Sequence, residues 1–322
     1  MVENASQIRL NITNQPILLV HRLLSARVLF VQVLVAIFLY VNSLMIVTFL
    51  KKEAFRTDTR YILFAQTLVL DSLLMVLTDF ALAVSYIQYP MPLILCLVYC
   101  MVMIWCKTGT PLTLVAMCLE RYVAICMPLR HADISTARRR LVGLVVIWLI
   151  SAVPAFVLLF LYLARLSLFT KDTITVCSID NVVVEKYNVH LAVLKFYFVC
   201  MSITIIFTYY KIVKAAKAVA SNSKKSTSKG QKTVILHAMQ LLLCLIHFLG
   251  PFIESAVMKV SFRMFIDLRY FNFVVFLIAP RCLSPLVYGL RDEKFSSVLK
   301  YYAMCGLNNR AHRRVHLTSK KA

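Results

Sequence analysis

Seven long apolar stretches, separated by short polar segments, dominate the chain. The first, Val28 to Leu50, carries no charge, and the fourth, Leu141 to Ala164, carries none either. The second, Tyr61 to Tyr86, contains Asp71 and Asp79; the third, Leu93 to Ala124, contains Lys107 in its middle; the fifth, Tyr187 to Tyr210, contains Lys195. The sixth, Thr233 to Val257, ends near Glu254, and the seventh, Tyr270 to Leu290, holds Arg281. Each stretch is close to the roughly 20 residues that a helix needs to cross a hydrocarbon core about 30 Å thick. Backbone groups in lipid must be satisfied within the segment, so the pattern predicts an all-α fold, a seven-transmembrane helix bundle. The expected organisation is an outer segment over residues 1–27, the bundle over 28–291 and an inner tail over 292–322.

Composition places the chain in the same class. It is 61% hydrophobic and 16% charged, with a mean hydropathy of +0.78, and its charges are gathered between the apolar runs. The net charge of +22 follows a topological rule. Two thirds of the lysines and arginines fall in the inner segments, including seven lysines from Lys211 to Lys232 and eight basic residues from Arg291 to Lys321. By the positive-inside tendency the N-terminus lies outside and the C-terminus inside. The basic inner face suits an acidic protein surface and anionic membrane lipids, and its distribution argues against nucleic acid as the partner. Two glycosylation triplets, at Asn4 and Asn11, both fall in the outer segment. The first apolar run is long enough to act as an uncleaved signal anchor.

Of ten cysteines, most fall inside predicted spans, where a thiol serves as a small apolar group. Cys96 and Cys177 fall at the outer face; a bridge between them would close the second outer loop over the bundle, the alternative being two free thiols. The dispersed histidines and the absence of any nucleophile elbow, zinc or phosphate-loop motif argue against an enzyme, a metal site or a bound cofactor.

The segment Met117-Cys118-Leu119-Glu120-Arg121-Tyr122-Val123-Ala124-Ile125-Cys126-Met127-Pro128-Leu129 resembles the third-helix motif of rhodopsin-like G-protein-coupled receptors, and within them of fish-type odorant receptors. Tyr61 to Phe64 leading to Asp71, Lys232 to His237, Gln240 to Cys244 and Ser284 to Asp292 resemble the same family in order. Three positions depart from its pattern: Val41 before Asn42, Ser284 before Pro285, and Leu249-Gly250-Pro251 in the sixth span.

The resemblance implies an odorant receptor that binds a small-molecule odorant outside and activates a heterotrimeric G protein inside, from the plasma membrane. Glu120, Arg121 and Tyr122, with Pro285 and Tyr288, would form the activation switch, Arg121 swinging toward Tyr209 or Tyr210. Asn42, Asp71 and Arg281 would form an internal polar network, with Asp71 and Arg281 as an ion pair or Arg281 turned to water or another acid; Trp148 would be a packing position.

Tyr99, Met103, Cys106, Lys107 and Thr110, spaced down the third helix, and His247, Phe248 and Glu254 on the sixth, with Lys195 on the fifth, are the ligand-binding candidates. Met103 stands where amine receptors place an aspartate, which disfavours a biogenic amine. Residues Asp292 to Ala303 would make a short amphipathic surface helix, followed by Cys305 as a palmitoylation candidate. A non-olfactory receptor for a peptide or lipid, and more distantly a transporter or channel, are the competing readings; the latter calls for duplicated halves, which the chain lacks by eye.

Overall fold

The computed structural model describes residues 2–87, 91–127, 136–164, 173–174, 177 and 187–220, then 242, 246, 249–250, 253–254, 256–258, 260–279 and 281–282, with most side chains from 26 onward. Helix α1 spans Val2–Lys51, α2 is the short inner turn Glu53–Thr57, and α3 spans Thr59–Ile87. After the strand β1, Met91–Pro92, come α4 (Leu93–Cys126) and α5 (Ala137–Leu163). The strand β2, Thr173–Ile174, precedes α6 (Tyr187–Ala220), and α7 (Phe262–Asn272) runs on into a π-helical turn at Phe273–Ile278.

Five helices among the described residues are long and apolar enough to cross a bilayer: Ala26–Lys51, Thr59–Val84, Leu93–Cys126, Ala137–Leu163 and Val189–Ala215. They coincide with the first five predicted spans to within a few residues. Most of the sixth predicted span lies outside the described residues. The seventh differs in two ways. Its helix starts at Phe262, earlier than Tyr270, so Arg263 in its first turn and Arg269 in its last lie on the helix instead of in an outer loop. Between Phe273 and Ile278 the winding loosens to the wider π pattern, which periodicity alone does not signal. The all-α expectation also gains a small antiparallel pairing, Met91 with Ile174 and Pro92 with Thr173, that pins the second outer loop to the top of α4.

Apolar helices in lipid hide their own polar side chains by bonding them back to the preceding turn. Thr48 donates to the carbonyl of Leu44, Thr67 to Leu63, Thr108 to Ile104, Thr113 to Gly109 and Thr208 to Thr204. Pro154, inside α5, has no N–H to offer the carbonyl of Ile150. The Tyr197 hydroxyl of α6 donates to that carbonyl at 2.6 Å, so the defect in one helix becomes a bond between two. At its inner end α4 stops at Met127, before Pro128, whose ring disfavours helical backbone in the preceding residue.

Helix α4 is the hub, packed against α3, α5 and α6. One apolar cluster joins Met45, Phe64, Leu68, Leu114 and Met117 in the inner half; another joins Cys96, Cys100, Ile104, Leu158 and Leu161 at the outer end. A third ties Val35 and Phe38 of α1 to Leu74 and Met75 of α3, Cys106 of α4 and Leu277. The outward faces carry exposed Leu, Ile, Val and Phe, as a lipid-facing belt requires.

Gly109 of α4 faces Leu70 of α3 and Ser151 of α5. A Cβ there would lie 3.0 Å from Leu70 Cδ1 and 3.5 Å from Ser151 Oγ. Gly109→Leu is therefore expected to cost about 1–3 kcal/mol through overpacking. Gly143, where a Cβ would meet nothing within 4 Å, is the control. Thermal unfolding of the purified chain checks this, and equal melting temperatures for Gly109→Leu and Gly143→Leu would contradict the packing argument.

Candidate functional site

The polar groups of the bundle lie at four levels along α4. At the outer end, Cys96 and Cys177 are joined in a disulfide with a Cα–Cα distance of 5.6 Å, across a sequence separation of 81. At the outer end of the first apolar span, Arg27 of α1 pairs with Asp267 of α7 at 2.9 Å and lies over the Tyr270 ring at 5.1 Å. Gln32 donates to Asp79, fastening α1 to α3.

One level in, Lys107 of α4 lies within electrostatic reach of Glu254, Arg281 and Arg269, and its charge also acts on His190 of α6. Glu254 accepts a hydrogen bond from the Asn272 side-chain amide at 2.9 Å, with Gly250 leaving room beside both. His190 is 2% exposed, and its Nδ1 has no hydrogen-bond partner among the described residues. Ionisable groups in a span are expensive, so Lys107, His190 and Glu254 are the candidates for engaging a polar ligand.

Deeper still, Asp71 and Arg281 stand 3.2 Å apart, Oδ1 to Nε, with side chains 1% and 4% exposed. The Thr110 hydroxyl donates to the same Asp71 oxygen at 2.8 Å, while Arg281 Nη1 donates to the carbonyl of Leu277. Arg281 Nε meets Asp71 by distance and not by hydrogen-bond geometry, so Coulomb attraction carries the contact. Asn42 donates to Ser72 at 3.0 Å, one helical step from Asp71.

At the inner end, Arg121 Nε lies 3.7 Å from Glu120 Oε2. The Tyr122 ring stacks in a tilted contact with Phe207 of α6, centroids 6.0 Å apart, and Lys211 Nζ sits 5.6 Å above the Phe207 ring. Tyr209 and Tyr210, expected partners of Arg121, are turned outward, Tyr210 at 61% exposure. The inward row of α6 is instead Ile205, Thr208 and Ile212.

The third-helix ligand candidates divide. Lys107 faces the polar cluster, but Thr110 is committed to Asp71, and Cys106 and Met103 pack in the apolar cluster with Leu74 and Leu277. Tyr99 donates to the carbonyl of Leu77 at 2.6 Å and lies 6.0 Å from Phe80, so it too packs against α3. The reason is rotational: these positions share the stripe of α4 that faces α3, while Lys107 stands outside the apolar clusters and acts electrostatically on His190 of α6. Lys195 is exposed on α6. Trp148, expected to be a packing position, is 50% exposed, though its backbone carbonyl accepts a bond from Trp105 Nε1 at 3.3 Å and the two rings meet edge-on.

His190 escaped the sequence reading. The signal was present: positions 190, 194, 197, 201, 205, 208 and 212 recur at helical spacing and form the inward face of α6, which His190 begins. Arg27, Asp267 and Asn272 carried no such signal, since their partners are remote in the chain. His247, Phe248, Pro285, Tyr288 and Cys305 lie outside the described residues, as does the expected surface helix; of Asn4 and Asn11 only the helical backbone is described.

Residues 41–288 match the model of the family described as 7 transmembrane receptor (rhodopsin family). The chain is 48% identical over 293 residues to odorant receptor 131-2 of Danio rerio, covering 89% of each chain. It is 26% identical over 198 residues to the G-protein coupled receptor homolog Q2/3L of sheeppox virus, covering 57% of this chain and 48% of that one. It is also 26% identical over 241 residues to the human histamine H2 receptor, covering 70% of this chain and 64% of that one.

Proposed function

This chain belongs to the rhodopsin family of seven-transmembrane receptors, and from that premise we propose that it is an odorant receptor of the plasma membrane, activating a heterotrimeric G protein when a small molecule binds from outside. The observation that carries the reading is the likeness to a fish odorant receptor along almost the whole chain, together with the Glu120–Arg121 pair at the inner end of α4. Residues 1–27 are the outer segment, 28–291 the bundle and 292–322 the inner tail. Signalling in this scheme is a shift between two packings of the bundle, with no chemical step on the ligand. A ligand moves that equilibrium only as far as it prefers the active packing.

The ligand site is the outer cluster of Lys107, His190, Glu254 and Asn272 beneath the bridged loop. An ionic group on the ligand engages Lys107 or Glu254, and an apolar body fills the space toward the sixth span. Internally, Asn42, Asp71 and Arg281 link the first, second and seventh spans, so that movement of the seventh is felt at Arg121. Pro285 and Tyr288 complete the switch on the family pattern. Asn4 and Asn11 carry sugar, and Cys305 a palmitoyl chain, in the same scheme.

The test is a panel of water-borne acids, amino acids, amines and neutral volatiles applied to cells displaying the native chain or Arg121→Ala at equal surface density. We expect at least one ligand class to raise G-protein signalling in the native chain and none to do so in the variant. A response that survives Arg121→Ala unchanged would sink the proposed switch, and silence of the displayed native chain across all classes would sink the odorant reading.

A further inference from the structure

Cys100 lies one helical turn below Cys96 on the same face of α4, and both are buried. Its sulfur is 3.9 Å from the sulfur of Cys177, and the sulfurs of Cys96, Cys100 and Cys177 all lie within 4.8 Å of one another. Side chains on a helix lean toward its N-terminus, so a residue one turn down reaches up to the bond above it. Cys177 is also held close by the pairing of Thr173 and Ile174 with Met91 and Pro92, which brings its loop to α4 independently of the bridge.

We propose that Cys100 is a second bridging site for Cys177, and that the tether of the outer loop exchanges between Cys96–Cys177 and Cys100–Cys177. In the exchange, Cys100 gives up its proton and its thiolate attacks Sγ of Cys177. The Cys96–Cys177 bond breaks, its electron pair leaves on Cys96, and Cys96 takes up a proton. One disulfide and one thiol are present before and after, so no oxidant or reductant is consumed. The bridge moves down α4 by one turn, about 6 Å of rise.

Non-reducing chymotryptic mapping of the full-length chain in detergent, after blocking free thiols, tests this; cleavage after Tyr99 separates Cys96 from Cys100. In Cys96→Ser, the peptide bearing Cys177 is expected to be linked to the peptide bearing Cys100. In Cys96→Ser/Cys100→Ser that linkage must vanish and Cys177 must become alkylated. Mapping needs no surface display, so it reads the bridge even in a variant retained inside the cell. The native chain, incubated in mildly alkaline buffer to raise the thiolate fraction, should show Cys96 alkylation matched by Cys100–Cys177 linkage, and Cys100→Ser should show neither. Free Cys100 and Cys177 together in Cys96→Ser would overturn the second site. A native chain that never yields the Cys100–Cys177 peptide would overturn the exchange.

Discussion

Arg281→Ala should be among the most damaging single substitutions in this receptor, lowering its stability by about 3–5 kcal/mol, because it strands the Asp71 carboxylate in a site that water does not reach. Asp71 is 1% exposed; Thr110 would remain its hydroxyl donor, with Oδ2 already lacking a partner among the described residues. Asp71→Ala should cost a similar amount, since among the described residues Arg281 would keep only the Leu277 carbonyl. Asp71→Leu/Arg281→Leu should lose distinctly less than either single change, as an apolar pair leaves no buried charge behind. Thermal unfolding of the detergent-solubilised receptor, read by size exclusion after heating, measures all three. If the double substitution loses the sum of the single losses, the two groups do not act as a pair. The pair's expected role is to fix how the seventh span sits against α3, a specificity role more than a net source of stability.

Glu120→Gln should raise ligand-free signalling about fivefold, corresponding to about 1 kcal/mol, the usual size of a partly exposed ion pair. The Glu120 and Arg121 side chains are 15% and 27% exposed and 3.7 Å apart, so water screens part of their attraction. Removing the negative charge frees Arg121 to leave its inactive position; the Tyr122–Phe207 contact between α4 and α6 stays in place. Basal G-protein activation per displayed receptor is the measurement. Basal activity at or below the native value, at normal display, would show that Glu120 does not restrain Arg121.

How the two levels of description divide is visible in particular residues. Helix existence was legible because apolar length in lipid leaves the backbone few choices, and α1, α3, α4, α5 and α6 stand where the apolar runs stand. The rotation of each helix about its axis was harder to read. Cys106 and Lys107 are neighbours in sequence, yet one packs beside Leu277 and the other stands outside that cluster, within electrostatic reach of Glu254 and His190. Hydropathy cannot separate such positions in a membrane bundle, because lipid and a neighbouring helix are both apolar surroundings.

The amino-acid sequence alone determined the number and placement of the apolar runs, the basic inner face, the outer cysteines and the motif around Arg121, each a local feature of composition or spacing. Only the tertiary structure decided that Thr110 serves Asp71, that Arg27 meets Asp267, that Tyr197 takes up the carbonyl Pro154 leaves open, and that Cys100 touches the outer bridge. These contacts join residues distant along the chain through helix rotation and depth, which no one-dimensional period encodes.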